Sequence, residues 1–94
     1  MKDFNELINR SYLAIKGRGL ITNETLPIEF IDKMKEELNE CYNAFMHGTQ
    51  SDLIEETTDL MTVCCMFIKH LRFNPVDEFE KVVIKNENRA IKTK

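Results

Sequence analysis

Apolar residues recur at helical spacing in four stretches of the chain, each bounded by residues that start or stop helices. The first stretch opens on Asp3 with Glu6 three residues later, as in a capping box, and stops at the glycines of Gly17–Gly19. The second begins at Pro27 and ends at His47 and Gly48. The predicted inward faces are Leu7, Ile8, Ser11, Tyr12 and Ile15 in the first helix, and Ile31, Met34, Leu38, Cys41 and Phe45 in the second.

The third and fourth stretches are bounded in the same way. Asp52, with Glu55 three residues later, predicts the start of a third helix that runs to about Phe73. Asn74 and Pro75 end that helix and begin a fourth. The predicted inward faces are Leu53, Leu60, Cys64, Phe67 and Leu71 in the third helix, and Phe79, Val83 and Ala90 in the fourth.

These patterns predict an all-α fold, an antiparallel helical bundle of about four helices that occupies residues 1–94 as a single domain. Only three glycines and two prolines occur, which argues against a turn-rich β protein. The third helix carries apolar residues on further sides as well, namely Met61, Val63, Cys65, Met66 and Ile68. A helix that is apolar nearly all round needs more neighbours than a short chain supplies, so we expect oligomerisation to complete the bundle.

Composition narrows the range of partners. The chain has 13 basic and 16 acidic residues, so its net charge is −3. A protein that binds nucleic acid through its surface usually has an excess of basic residues, and this chain does not. The longest apolar run, Val63–Ile68, is far shorter than the ~20 residues of a membrane span. The first residues include two acids, Asp3 and Glu6, and do not form the apolar segment of a signal peptide. We therefore expect a cytoplasmic protein with neither a nucleic-acid partner nor a membrane span.

Two acidic pairs occupy unusual positions on the second and third helices. Glu56 projects within the apolar stripe of its helix, and Asp59 lies on the flank one turn later. Glu37 lies at the edge of the stripe of the second helix, and Glu40 lies about 60° further round. Across one groove between antiparallel helices, the four carboxylates would repel unless protons or cations compensate. Oxygen ligands suit Mg²⁺ or Mn²⁺, so the pattern favours a divalent metal site.

The spacing of these acids resembles a known signature. Glu37-x-x-Glu40 and Glu56-x-x-Asp59, separated by 15 residues, are similar to the ExxE…ExxD motif pair of the MazG-like nucleoside triphosphate pyrophosphohydrolases. An additional glutamate precedes each pair, Glu36 in the first and Glu55 in the second, and this feature is common in that family. The C-terminal segment resembles the basic K…KN..R-like segment of the family through Lys81, Lys85, Asn86 and Arg89.

The resemblance implies an all-α enzyme that assembles as a homodimer or homotetramer and cleaves a nucleoside triphosphate between its α and β phosphates. Mg²⁺, for which Mn²⁺ can substitute, would be held by Glu37, Glu40, Glu56 and Asp59. Glu37 or Glu36 would assist as the base. The outer phosphates would be held by the positive side chains of the last helix, with Asn86 as a further substrate contact. The residues that bind the outer phosphates and substrate would be Lys81, Lys85, Asn86 and Arg89.

Other interpretations of single features stay open. Asn86 projects within about 60° of the apolar side of the fourth helix, so it is either a satisfied core amide or a substrate contact. A non-catalytic helical interaction module explains the amphipathic stripes but not an acid at position 56. A di-iron carboxylate bundle needs Glu-x-x-His motifs, and no Glu in this chain has a His three residues later.

Overall fold

The computed structural model describes residues 3–93. Helices are the regular secondary structure in that range, which contains no strand. The helices are α1 (Phe4–Gly17), α2 (Pro27–His47), α3 (Gln50–His70) and α4 (Pro75–Thr93). The most extensive packing lies between α2 and α3, which are joined only by Gly48 and Thr49. The predicted all-α class with four helices is confirmed. No helix in the described range is long and apolar enough to cross a bilayer.

The start of α3 differs from the prediction. Thr49, rather than Asp52, is the N-cap: its hydroxyl accepts from the Asp52 N–H at 3.1 Å, and the Asp52 carboxylate accepts from the Thr49 N–H at 2.9 Å. The hydrogen bond that the Asp52 carboxylate accepts from the Thr49 N–H is the main reason why the pKa of Asp52 lies below its ordinary value, and the Thr49 side chain adds to the effect. A capping box therefore exists, one turn earlier than the one formed by Asp52 and Glu55 would be.

The end of α3 also differs, since the helix stops at His70 instead of Phe73. Arg72 adopts a left-handed conformation with φ 70°. The Phe73 N–H bonds the Ile68 carbonyl at 3.2 Å, and the Arg72 N–H bonds the Lys69 carbonyl at 2.9 Å. This is a Schellman motif, which usually has Gly at the left-handed position. Asn74 then caps α4 by accepting from the Asp77 N–H at 3.0 Å, as the sequence predicts.

Replacing Arg72 by Gly is expected to raise the free energy of unfolding by roughly 0.5–1 kcal/mol, because Gly adopts φ > 0 without a Cβ clash. Arg72→Ala is the matched control: it removes the same charge but keeps the Cβ, so it should give no gain. Urea denaturation of the three proteins measures the difference. An equal gain in both variants would assign the effect to charge and not to the backbone.

The core lies where α1 and the segment that follows it cover one end of the α2–α3 pair. Ile8, Ile21, Phe30 and Met66 are buried together there. The ring of Phe30 stacks on Phe67 with centroids 5.1 Å apart and contacts the His70 ring at 4.9 Å. His70 also bonds the Thr25 carbonyl through Nε2 at 2.8 Å, which ties the segment before α2 to the end of α3. Cys41, predicted to face inward, is buried further along α2.

Several apolar residues predicted to face inward are exposed. On α2, the side chains of Leu38 and Phe45 are 59% and 68% exposed. On α4, Phe79 is 66% exposed, and residues 80–92 are exposed as well, Asn86 included. The other residues of the predicted inward faces that are exposed are Leu71, Val83 and Ala90. The burial predicted for these positions is wrong for the single chain, because α4 contacts α1 and α3 and only its first residues are covered.

The single chain is therefore open for its size. Its accessible surface is 7580 Å², against about 5,700 Å² for a compact monomer of its mass. Its radius of gyration is 15.4 Å, where a compact domain of this length has about 12 Å. Large apolar side chains on α2 and α4 contribute to this open surface, since no element within residues 3–93 covers them.

Candidate metal centre

Three carboxylates converge in the groove between α2 and α3. Each offers one carboxylate oxygen, and these oxygens lie within 4.8 Å of one another. The residues are Glu37 on α2 and Glu56 and Asp59 on α3. Glu37 and Glu56 are half-buried, whereas Asp59 is exposed. The two helices are antiparallel because their connection has only two residues, so the first half of α3 lies beside the middle of α2. The helical projection of the sequence indicates the same meeting of acidic edges.

Glu40, the fourth acid of the motif pair, is placed differently. It lies one turn after Glu37 on α2, is exposed, and is not a member of the group within 4.8 Å. Its charge still acts on the group, since it is one of the charges that raise the pKa of Glu56. The structure thus brings three of the four predicted ligands together and leaves Glu40 at the rim.

The carboxyl group of Glu56 lies in an environment that disfavours its charge. Its pKa is raised, first because the half-buried group loses hydration and then because of the charges of its acidic neighbours. Those neighbours, in order of their effect, are Asp59, Glu40, Glu37 and Glu55. Both causes disfavour the ionised form, and a bound cation would reverse both. The site therefore suits a cation electrostatically.

Lys33 supplies a positive charge to the same groove. Its Nζ lies 3.2 Å from Oε1 of Glu36 and 3.3 Å from Oε1 of Glu37. The hydrogen bond to Glu36 is the largest of the causes that raise the pKa of Lys33. The side chain of Glu36 is 61% exposed, as the helical projection predicts, whereas that of Glu37 is only 13% exposed. Glu37 is therefore shared between Lys33 and the acidic cluster.

Threonines surround the acids of α3 and bond to the backbone of the helix itself. Thr57 donates to the Leu53 carbonyl at 2.7 Å, and Thr58 donates to the Ile54 carbonyl at 2.8 Å. Thr62 donates to the Thr58 carbonyl at 2.9 Å. These bonds to the carbonyl four residues earlier satisfy the three hydroxyl groups within α3 itself.

A cleft of about 490 Å³ adjoins the acidic cluster. Glu37 and Asp59 line it, and Lys33 and Arg18 bring two positive charges to it. The rest of its lining is formed by Ile15, Leu20, Ile21, Thr25, Glu29, Phe30, Thr62, Val63 and Met66. The lining is mixed, with six apolar residues beside seven polar or charged ones, and the volume is in the range of small-molecule sites.

The sequence did not single out Arg18 or Lys33. Lys33 precedes Glu37 by one helical turn, a spacing that signals an ion pair and could have been found. Arg18 follows α1 as its C-cap residue, and no periodicity marks where such a residue points.

The basic residues predicted to bind the substrate lie elsewhere. Lys81 pairs with Glu78 at 3.1 Å on the exposed side of α4. The four residues predicted to bind the outer phosphates and the substrate, three of them basic, are all exposed, and none of them lines the cleft beside the acidic cluster. They are Lys81, Lys85, Asn86 and Arg89. Within one chain, the structure does not bring these residues to the three carboxylates.

Comparison of the chain with protein-family models, with curated proteins and with solved structures finds no match in any of the three. The resemblance to MazG-like enzymes therefore rests on the acidic motif pair and on the basic segment. The geometry of the groove stands independently of that resemblance, because it follows from the packing of α2 on α3.

Proposed function

We propose that this protein is a Mg²⁺-dependent nucleoside triphosphate pyrophosphohydrolase. The observation that carries the proposal is the convergence of Glu37, Glu56 and Asp59 in one groove. Each of the three belongs to the ExxE…ExxD pair in which the chain resembles the MazG-like enzymes. The adjoining cleft gives a nucleotide a place to bind beside the acids.

The donor set fits Mg²⁺ or Mn²⁺. All three groups are carboxylates, the hard oxygen ligands that these ions prefer. Mg²⁺ commonly keeps several waters and takes only a few protein carboxylates, so three suffice. Glu40 extends the set, since its carboxylate lies one turn from Glu37 on the same helix. The raised pKa of Glu56 supports the fit, because a half-buried acid among other acids gains most from a cation.

The proposed reaction adds water across the anhydride bond between the α and β phosphates and yields a nucleoside monophosphate and pyrophosphate. Bound Mg²⁺ supplies neutralisation of phosphate charge and a lowered pKa for the attacking water. Glu37 or Glu36 accepts the proton of that water. Glu37 lines the cleft whereas Glu36 does not, which favours Glu37. Lys33 and Arg18 line the cleft and would supply positive charge to a pyrophosphate leaving group bound there.

We further propose that the protein is a cytoplasmic homo-oligomer, a dimer or a tetramer. The accessible surface of one chain exceeds that of a compact monomer by roughly 1,900 Å², which is more than the ~800 Å² that each partner buries in a stable interface of standard size. Exposed apolar residues on α2 and α4 give such an interface its chemistry. A second copy also offers a route by which the basic residues of α4 reach an acidic groove.

Light scattering is expected to give at least twice the 11.1 kDa mass of the chain at micromolar concentration. The reason is that the apolar faces of α2 and α4 are too large to stay in water. A second measurement at tenfold dilution checks that the assembly is stable. A mass of 11.1 kDa at both concentrations would contradict the proposal.

The activity itself is tested by product analysis. With Mg²⁺ and a panel of ribo- and deoxyribonucleoside triphosphates, we expect pyrophosphate and the monophosphate in equal amounts, without a diphosphate intermediate. Chelation of the metal with EDTA should abolish the reaction, and added Mg²⁺ should restore it. Release of orthophosphate alone, or no reaction with any nucleotide, would exclude this chemistry.

A non-catalytic helical interaction module is the second candidate. The observation in its favour is the same exposed apolar surface, which includes Phe45 and Phe79. Such a module has no use for a divalent cation, so Mg²⁺ would not change its melting temperature. An enzyme that holds Mg²⁺ in the groove is stabilised by it. Thermal unfolding with and without Mg²⁺ therefore separates the two candidates.

A further inference from the structure

Lys33 occupies a position that the proposed metal site must share. Its ammonium group contacts Glu36 and Glu37 at 3.2 and 3.3 Å, and Glu37 is also one of the three converging carboxylates. Lys33 thus already gives Glu37 a counter-ion in the structure, so the cluster is not three bare negative charges. Any cation that Glu37 binds must compete with this ammonium group.

Two cations at one carboxylate repel each other. An ammonium group in contact with Glu37 and a divalent ion bound by the same side chain would lie only a few ångströms apart, where like charges interact appreciably even in water. The ammonium group of Lys33 can move away from Glu37 because the side chain is half-exposed and its four-carbon stem is flexible. The pair between Lys33 and Glu37 is therefore an exchangeable contact.

The cleft indicates where the ammonium group goes. Lys33, Glu37 and Asp59 line it together, whereas Glu36 does not. Arg18 lines the same cleft, so two positive side chains meet the space beside the acids. A phosphate group drawn to the acidic end by a bound cation would come within reach of Lys33. Phosphate would then replace Glu37 as the anion that Lys33 contacts.

We propose that Lys33 is an exchangeable counter-ion: it neutralises Glu37 in the metal-free protein and contacts the phosphate of the substrate once Glu37 binds the divalent cation. This inference rests on the proposed function, because it takes the groove as the metal site. It assigns to Lys33 two effects of opposite sign. Lys33 weakens the binding of metal alone and strengthens the binding of phosphate in the presence of metal.

The metal effect is measured by calorimetric titration of the full chain with Mn²⁺ alone. Lys33→Met removes the competing charge and is expected to tighten Mn²⁺ binding about fivefold, the size of one close charge contact in water. Lys35→Met is the matched control. Lys35 lies two residues further along α2, is exposed, and does not line the cleft, so the same loss of charge there should change the affinity less than twofold.

The phosphate effect is measured with inorganic pyrophosphate at saturating Mg²⁺. Lys33→Met is expected to weaken pyrophosphate binding at least fivefold, since one charge-assisted contact is lost. Lys33→Arg keeps the positive charge and should retain most of the affinity. A lysine with a merely structural role would not change metal and pyrophosphate affinity in opposite directions.

The outcomes separate the inference from the proposed function. If the wild-type protein binds Mn²⁺ but Lys33→Met binds it no more tightly than Lys35→Met, Lys33 is not a counter-ion that competes with the metal, and the metal site stands. Unchanged pyrophosphate binding in Lys33→Met would overturn the exchange as well. If the wild-type protein binds no divalent cation, the metal site and the inference fail together.

Discussion

Glu56→Gln is expected to leave the metal-free protein as stable as the wild type or more stable, while it removes stabilisation by Mg²⁺ and lowers activity roughly 100-fold or more. The substitution keeps the shape of the side chain and removes one negative charge from a cluster that includes Glu37 and Asp59. In the wild type, Mg²⁺ at a hundred times its dissociation constant should raise the free energy of unfolding by about 2.7 kcal/mol. The variant should show little of this increase.

The pH dependence of this effect has a definite sign. The pKa of Glu56 is raised in the folded chain, so the ionised carboxylate destabilises the fold at pH values above that raised pKa. As the pH falls through it, Glu56 takes up a proton and the penalty disappears. The stability of metal-free wild type should therefore approach that of Glu56→Gln on acidification. Urea denaturation between neutral and mildly acidic pH measures the convergence.

Glu55→Gln is the matched control for Glu56→Gln. Glu55 is the preceding residue on α3, is exposed, and does not belong to the converging group. The same chemical change there should leave activity and stabilisation by Mg²⁺ nearly intact. Glu36→Gln, on the exposed side of α2, should likewise leave metal binding nearly intact. If Glu56→Gln instead destabilises the metal-free protein, and Mg²⁺ does not affect the wild type, Glu56 is half of a buried ion pair.

The largest loss of stability is expected from Phe30→Ala, at about 3–5 kcal/mol. Phe30 is 5% exposed, stacks on Phe67 and contacts His70, so its removal leaves a cavity where α2, α3 and the segment before α2 meet. A chain of this length is stable by only about 5–14 kcal/mol, so the variant loses a large part of that. Urea denaturation at a fixed protein concentration measures the change.

Phe45→Ala makes the same change further along α2, at a side chain that is 68% exposed. The proposed contact between copies of the chain predicts a larger cost than an exposed side chain would give, since a Phe45 open to solvent in the assembly would cost less than about 1 kcal/mol. A cost close to that of Phe30→Ala would mean that a second copy of the chain covers this face. A cost below about 1 kcal/mol for Phe30→Ala itself would contradict the packing described for the core.

The ends of the helices show how far the sequence predicts the fold. α1 ends in a Schellman motif with Gly19 at the left-handed position, φ 76°, and the glycine makes that end predictable. α3 ends in the same motif with Arg72 in that place, and the sequence gives no comparable signal. The predicted helix accordingly continued to Phe73. The same backbone geometry could therefore be predicted at the end of α1, where Gly19 marks it, but not at the end of α3.

Burial was predictable only where a partner surface exists within the chain. The stripe of α2 has the right period, and Cys41 on it is buried, yet Phe45 on the same stripe is exposed. On α4, Phe79 and Val83 are exposed for the same reason. Periodicity tells which residues share a face, but not what covers that face. Whether the face is covered depends on where α4 packs and on whether copies of the chain associate. A local sequence pattern contains neither piece of information.

The candidate site was the more predictable part. Glu56 stands out because an acid on an apolar stripe breaks the pattern, and its partner on α2 follows from the short connection between the helices. Arg18 and the cleft were not predictable, because they depend on how the segment after α1 folds over α2 and α3. The sequence thus indicated the acids, and only the structure showed the space next to them.

The two-residue connection between α2 and α3 has a consequence for the order of folding. Glu37 and Glu56 lie 19 positions apart in one helical hairpin, so closing the chain between them costs little entropy. Contacts this local are expected to form early, so we expect the carboxylates to approach one another before α1 and α4 are folded. Their repulsion then opposes the first step of folding as well as the final state. If the groove binds a divalent cation as we propose, a cation present during refolding would accelerate the formation of the hairpin, and the availability of metal would influence how quickly a newly made chain folds.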